Sequence, residues 1–85
     1  MIQLSKINIE QLKWRSRRSQ LELDLFFDSY IQKGHLENLS EGGLTKYNDL
    51  LELEDGELLL LFQSKVKLND GIMQTIVEDI IACRR

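Results

Sequence analysis

Arg17-Arg18-Ser19-Gln20-Leu21-Glu22-Leu23-Asp24 brings two guanidinium groups, a hydroxyl and two carboxylates into one short stretch of chain. Groups of these types at this spacing recognise charge. An arginine fork takes a carboxylate or a carbonyl through charge-assisted hydrogen bonds, and a carboxylate takes a cation or an N–H donor. A purely structural reading accounts for the same residues: Ser19-x-x-Glu22 has the form of a capping box that opens a helix, with the arginines before it opposing the C-terminal dipole of the helix they end.

Other candidates for chemistry are sparse. His35 is the only histidine and adjoins Gly34 in a turn, with no second histidine or cysteine at metal-ligand spacing. Cys83 is the only cysteine, so it can form no internal disulfide or thiolate cluster, and its apolar neighbours describe a small hydrophobe rather than an activated nucleophile. Glu52-Leu53-Glu54-Asp55-Gly56-Glu57 lacks the alternating ligands and the closing glutamate of a calcium loop and reads as a solvated helix start. Phosphate-binding glycine loops, a serine elbow and zinc signatures are missing as well. A small helical chain also has difficulty enclosing a substrate pocket, so the expectation is a protein that is not an enzyme and holds neither metal nor cofactor.

Lys13, Arg15, Arg17 and Arg18 make one basic run, whereas Asp49, Glu52, Glu54, Asp55 and Glu57 make an acidic one, which predicts a surface with two poles. Two helices joined tightly behind a basic run invite comparison with a helix-turn-helix. The second of them, however, carries Glu22, Asp24 and Asp28, which a phosphate backbone would repel, and the net charge of -3 points the same way. Nucleic acid is therefore not expected as a partner.

The elements that must position the Arg17–Asp24 stretch follow from helical apolar spacing with no proline anywhere, which predicts an all-α fold: a small single-domain bundle of about five short helices over residues 1–85. Asn8 with Gln11 is a capping box for the first helix, which places Ile9, Leu12 and Ser16 on one face and Trp14 on the flank shared by Arg18. A second helix runs from Ser19 to about Lys33, with Gly34 as its left-handed end; Leu23, Phe26, Phe27, Tyr30 and Ile31 form its buried stripe, and Leu21 and Leu25 lie opposite. Ser40 caps a third helix through Leu53, whose first turn Gly42 and Gly43 weaken. Asp55 caps a fourth helix, Glu57 to Gln63, whose Leu58-Leu59-Leu60-Leu61-Phe62 run has no polar face and should be enclosed. A fifth opens at Asn69 or Asp70, carries Ile72, Met73, Ile76, Val77, Ile80 and Ile81 inward, and ends in Arg84 and Arg85 beside its own negative dipole end. Such a chain buries only about 60–65% of the surface it exposes when unfolded, enough for one thin core. Leu21 and Leu25 would suit either a weak homodimer of an otherwise monomeric chain or a transient partner.

The longest wholly apolar run, Leu58 to Phe62, is far short of the roughly 20 residues of a membrane span, and Met1 to Lys6 has no apolar stretch behind a basic start. No membrane insertion and a cytoplasmic location are expected.

Lys13-Trp14-Arg15-Ser16-Arg17-Arg18-Ser19-Gln20-Leu21-Glu22-Leu23-Asp24 resembles the most characteristic segment of the bacterial FAD assembly factor family (SdhE), whose motif is Arg-Gly-x-x-Glu within a longer Arg-Arg-Gly-x-x-Glu-Leu-Asp. Leu50-Leu51-Glu52-Leu53-Glu54-Asp55-Gly56-Glu57-Leu58 is similar to the family's Leu-Leu-Glu-x-x-Asp-x-Asp-Leu, and Leu39-Ser40-Glu41 to its Leu-Ser-Asp. Order and spacing agree over about residues 10 to 62. The resemblance implies a five-helix binding chaperone that docks on the flavoprotein subunit of succinate dehydrogenase or fumarate reductase and promotes its covalent flavinylation, the FAD belonging to that client. By position it assigns the partner surface to Arg18, Ser19, Glu22 and Asp24, with Trp14 and Arg17 as additions. An antitoxin-like regulatory interaction module, a role also attached to some members, is the alternative.

Two departures stand out. Ser19 replaces the motif glycine, and Leu61 stands where the family often has tryptophan. A positive φ or a close backbone approach would make serine costly at position 19, whereas an N-cap would suit it.

Overall fold

The computed structural model describes residues 8–84. Met1 to Lys6, read as lacking a leader, and Arg85, read as a terminal cation, lie outside them. The described residues form six helices and no strand: α1 (Ile9–Arg15), α2 (Leu21–Gln32), α3 (His35–Asn38), α4 (Glu41–Leu50), α5 (Asp55–Phe62) and α6 (Gly71–Cys83). The all-α expectation holds, with one helix more than about five. The addition is α3, a single turn that Gly34 makes possible: its φ of 78° ends α2 in the left-handed region and sends the chain straight back into helix, burying Leu36. Four residues are too few to display a helical period in sequence.

Local chemistry sets the helix starts. Asn8 Oδ1 accepts from the backbone N–H of Glu10 (2.8 Å), Ser40 Oγ from Gly43 (3.1 Å), and Asp70 Oδ1 from Ile72 and Met73 (both 3.0 Å). Two expected caps are displaced by one residue. Gln20, not Ser19, caps α2, its Oε1 accepting from Leu23 N–H at 3.0 Å, and no Ser19–Glu22 box forms. At α5 the cap is Glu54 rather than Asp55; Glu57 reaches back to the Glu54 N–H at 3.2 Å, so the helix begins two residues earlier than expected and Asp55 is left free for another partner. Helix α4 stops at Leu50 instead of Leu53. Gly43 is buried under Leu39, and a Cβ on it would come within 3.1 Å of Leu39 Cδ2. Close approach is therefore what this glycine supplies.

The buried stripe of α2, Leu23, Phe27 and Tyr30, meets Ile76, Val77 and Ile80 of α6, Tyr47 and Leu50 of α4, and Leu58, Leu61 and Phe62 of α5, with Leu12 and Leu36 closing the ends. Aromatic rings form its centre. Phe27 is edge-on to Phe62 (5.4 Å) and Tyr47 (6.2 Å), while Tyr30 stacks between Tyr47 (5.7 Å) and His35 (4.9 Å); each such pair contributes about 0.5–1.5 kcal/mol beyond burial. Leu60 departs from the enclosed run expected of α5 and is 41% exposed. Eight residues of helix packed on one side of a small bundle cannot bury every position. Arg84 at the end of α6 lies over the Phe26 ring at 5.7 Å. Among the described residues no helix is long and apolar enough to cross a membrane.

Candidate functional site

The turn between α1 and α2, residues 16 to 20, is built from the inside outward. Ser16 is 1% exposed; its Oγ donates to Leu12 O at 2.6 Å and lies 2.5 Å from Tyr47 Oη. With the serine proton committed to Leu12, the tyrosine is the donor in the second bond. Burial pushes the Tyr47 phenol up to about 12, against the opposing pull of Ser16 and Arg18. A polar pin thus joins the end of α1 to α4 within the core.

Arg18 follows it inward. Its Nη2 donates to Leu51 O at 2.7 Å, Nη1 lies 3.4 Å from Asp55 Oδ1, and the guanidinium rests 5.8 Å from the Phe27 ring centroid. Only 17% of the side chain is exposed, and Nε is buried without a partner among the described residues. The Arg18 backbone N–H donates to Asp24 Oδ1 at 3.1 Å, so the chain before α2 is tied both to its first turn and to the α4–α5 turn. Arg18, expected on the partner surface, is thus turned into the molecule in the free chain, and Trp14 shares its groove with Arg17 rather than with Arg18.

The rest of the basic run is similarly engaged. Arg15 Nη2 pairs with Glu52 at 2.6 Å and Nη1 donates to Asn48 Oδ1; Lys13 pairs with Glu37 at 2.9 Å, a contact that raises the lysine pKa and lowers that of the glutamate. The two expected poles consequently meet, since Arg15–Glu52 and Arg18–Asp55 join basic run to acidic run. Arg17 is the exception, with 73% of its side chain exposed and, among the described residues, a single 3.8 Å ion pair to Asp24.

On the outer face stand Trp14, 74% exposed, Arg17, Ser19 and Glu22, with Asp24 partly covered beneath. Trp14 and Arg17 line a groove of about 240 Å³ between α1 and α2, together with Glu10, Lys13, Asp28 and Ile31. Glu22 and Asp24 project from different sides of α2, Asp24 toward Arg17 and Glu22 away from it, as positions two apart on a helix must. Ser19 is exposed, and among the described residues only Gly34 and Ser64 have positive φ. Ser19 is therefore free of the positive φ that would make serine costly there. Asp28 and Ile31 were not expected at the groove, nor Asp55 as a partner of Arg18; the acidic stretch held the signal for Asp55 but not its pairing.

No group of three metal-capable side chains occurs among the described residues. His35 is stacked on Tyr30, and burial pushes the Cys83 thiol up, away from reactivity. A concavity of about 760 Å³ between the starts of α4 and α6 lies away from the junction, and its ion pair, Lys46–Asp70 at 2.6 Å, belongs to the α6 cap.

Comparison with known proteins adds the following. A family model described as flavinator of succinate dehydrogenase matches residues 10–84. The FAD assembly factor SdhE of Colwellia psychrerythraea is 31% identical over 78 residues, covering 92% of this chain and 85% of that protein. Its counterpart in Shewanella oneidensis is 36% identical over 56 residues, covering 66% and 67%. No solved structure matches.

Proposed function

The chain belongs to the succinate dehydrogenase flavinator family, and on that premise we propose that it is a binding chaperone for the flavoprotein subunit of succinate dehydrogenase or fumarate reductase, promoting covalent attachment of FAD to that subunit. The FAD is the client's. Trp14, Arg17, Ser19 and Glu22 make the contacts, and Arg18 and Asp24 hold the junction in the shape that presents them. The observation that carries this reading is the division of labour at the junction: Arg18 is locked inside at 2.7 Å from Leu51 O, while Trp14 and Arg17 beside it stand in solvent. An exposed tryptophan with an accessible arginine is the composition of a binding hot spot.

A protein of this kind acts by favouring one state of its client. To raise the attachment-competent population tenfold it must bind that state more tightly by about 1.4 kcal/mol, well within what a tryptophan and one charge-assisted contact provide. Neither His35 nor Cys83 is needed for that.

The test is co-expression of the client with this chain in cells lacking an assembly factor, reading covalent flavin by fluorescence of the denatured subunit. Wild-type chain should restore flavin, and Glu22→Ala, which breaks no hydrogen bond or ion pair among the described residues and removes only a first-turn acid worth about 0.3–1 kcal/mol to α2, should reduce it while the chain stays folded at the assay temperature. Equal covalent flavin with and without the chain would defeat the proposal.

A further inference from the structure

Helix α2 carries a second, apolar feature on its outer side. Leu21 is 70% exposed and Leu25 37%, on the face opposite Leu23, Phe27 and Tyr30, and Asp28, one turn on from Leu25 on the same helix, lines the groove that Trp14 also lines. Glu22 and Asp28 flank the leucines, both exposed and neither in an ion pair among the described residues. We infer that Trp14, Leu21 and Leu25 form one docking stripe for an apolar patch rimmed by lysine or arginine on the client flavoprotein. This rests on the function proposed above and extends it from the junction along α2.

Two arguments set a client apart from a second copy of the chain. The exposed area of the three side chains comes to roughly 300–400 Å², the size of the largest apolar patch on a typical monomer, against roughly 800 Å² per side for a stable dimer. Charge points the same way. Antiparallel pairing of two α2 helices about Leu25 sets Glu22 of one copy against Asp28 of the other, and parallel pairing sets each acid against itself. Self-association therefore meets repulsion in either arrangement, whereas a basic rim meets attraction that also speeds encounter.

The experiment is surface plasmon resonance between the full chain and the purified flavoprotein subunit of succinate dehydrogenase. Leu21→Ser should weaken binding about tenfold or more, a hot-spot loss, and Asp28→Lys should slow association at low salt. Ile72→Ser, at a similarly exposed position on α6, should bind within about twofold of wild type, and all three should melt like wild type, their side chains being in solvent. Wild-type affinity in Leu21→Ser, with binding lost in Trp14→Ala, would overturn the stripe while leaving the junction reading standing. Unchanged association in Asp28→Lys would overturn the basic rim. No binding by wild type would overturn the functional reading and the stripe with it. Sedimentation showing a dimer that Leu21→Ser dissolves would assign the stripe to a second copy and overturn the inference.

Discussion

Replacing Arg18 by alanine separates a clamp from a contact. In the folded chain the guanidinium donates to Leu51 O at 2.7 Å, a charged hydrogen bond largely shielded from water, for which about 1.5–3 kcal/mol is usual. The approach to Asp55 is long, 3.4 Å, and that carboxylate is 41% exposed, so it adds only about 0–1 kcal/mol. Stacking at 5.8 Å from Phe27 contributes about 0.5–1 kcal/mol. Against these stands the buried, unpartnered Nε, whose release from desolvation returns about 1–2 kcal/mol. The net loss on truncation is about 2 kcal/mol, which in a domain of this size lowers the melting temperature by about 10–15 °C. Circular dichroism melts and urea titrations of Arg18→Ala and Arg18→Met measure it; Arg18→Met keeps the stem over Phe27 and should recover part of the loss. A stable Arg18→Ala, within about 0.5 kcal/mol of wild type, that nevertheless fails to bind the flavoprotein would refute the clamp and show that the guanidinium swings out to the partner.

Three further outcomes follow from the geometry. Ser19→Ala should be nearly neutral while Gln20→Ala costs about 0.5–1 kcal/mol, because Gln20 caps α2; the reverse order in denaturant titrations would restore the Ser19 capping box. Gly42→Ala should stabilise by up to about 1 kcal/mol through helix propensity, since its Cβ meets nothing nearer than Ser40 Oγ at 3.9 Å, whereas Gly43→Ala should destabilise against Leu39 at 3.1 Å, and equal melting shifts for the two would contradict the packing. Burial raises the phenols of Tyr30 and Tyr47, the latter to about 12 from 10.0; a raised folded pKa gives stability that is complete below the unfolded value and disappears as pH climbs, so the chain should lose stability between about pH 10 and 12 with tyrosinate absorbance rising at the unfolding step, and ionisation of both tyrosines in a chain still folded would refute this.

How far the sequence reveals the fold depends on the range of the interaction concerned. Leu23, Phe27 and Tyr30 on one side of α2 and Ile76, Val77 and Ile80 on α6 are visible as helical periods because burial repeats with the helix. Asn8, Ser40 and Asp70 are legible as caps because a cap bonds within three residues. Leu60 is not legible: an apolar run on a short helix does not say which position the bundle leaves uncovered. The site divides along the same line. Trp14 and Arg17 can be picked out by type, but the inward turn of Arg18 depends on Leu51 and Asp55, more than thirty residues away, and no local pattern encodes it.

That long-range pairing also explains why a basic run in this chain is not a basic surface. Lys13, Arg15 and Arg18 each find an oxygen on a distant element, at Glu37, Glu52 and Leu51 respectively, and the acidic stretch of residues 52–57 supplies part of that set. Helix α1 contributes one fully buried apolar side chain, Leu12, with Ile9 partly buried against the core and buried Ser16 at its end, so apolar burial alone holds it weakly. One leucine is about 1.5–3 kcal/mol, less than the conformational entropy of ordering seven residues. Ile9 against the core, the Ser16–Tyr47 bond and the cations together seat this helix. Seated in that way, α1 and the turn after it hold Trp14 and Arg17 in place beside α2, and on the function proposed above the affinity of that face for the client depends in part on the Arg15–Glu52 pair, which lies outside the groove. Charge reversal at Glu52, remote from the groove, should therefore weaken client binding through α1, and it should do so in proportion to the stability it removes.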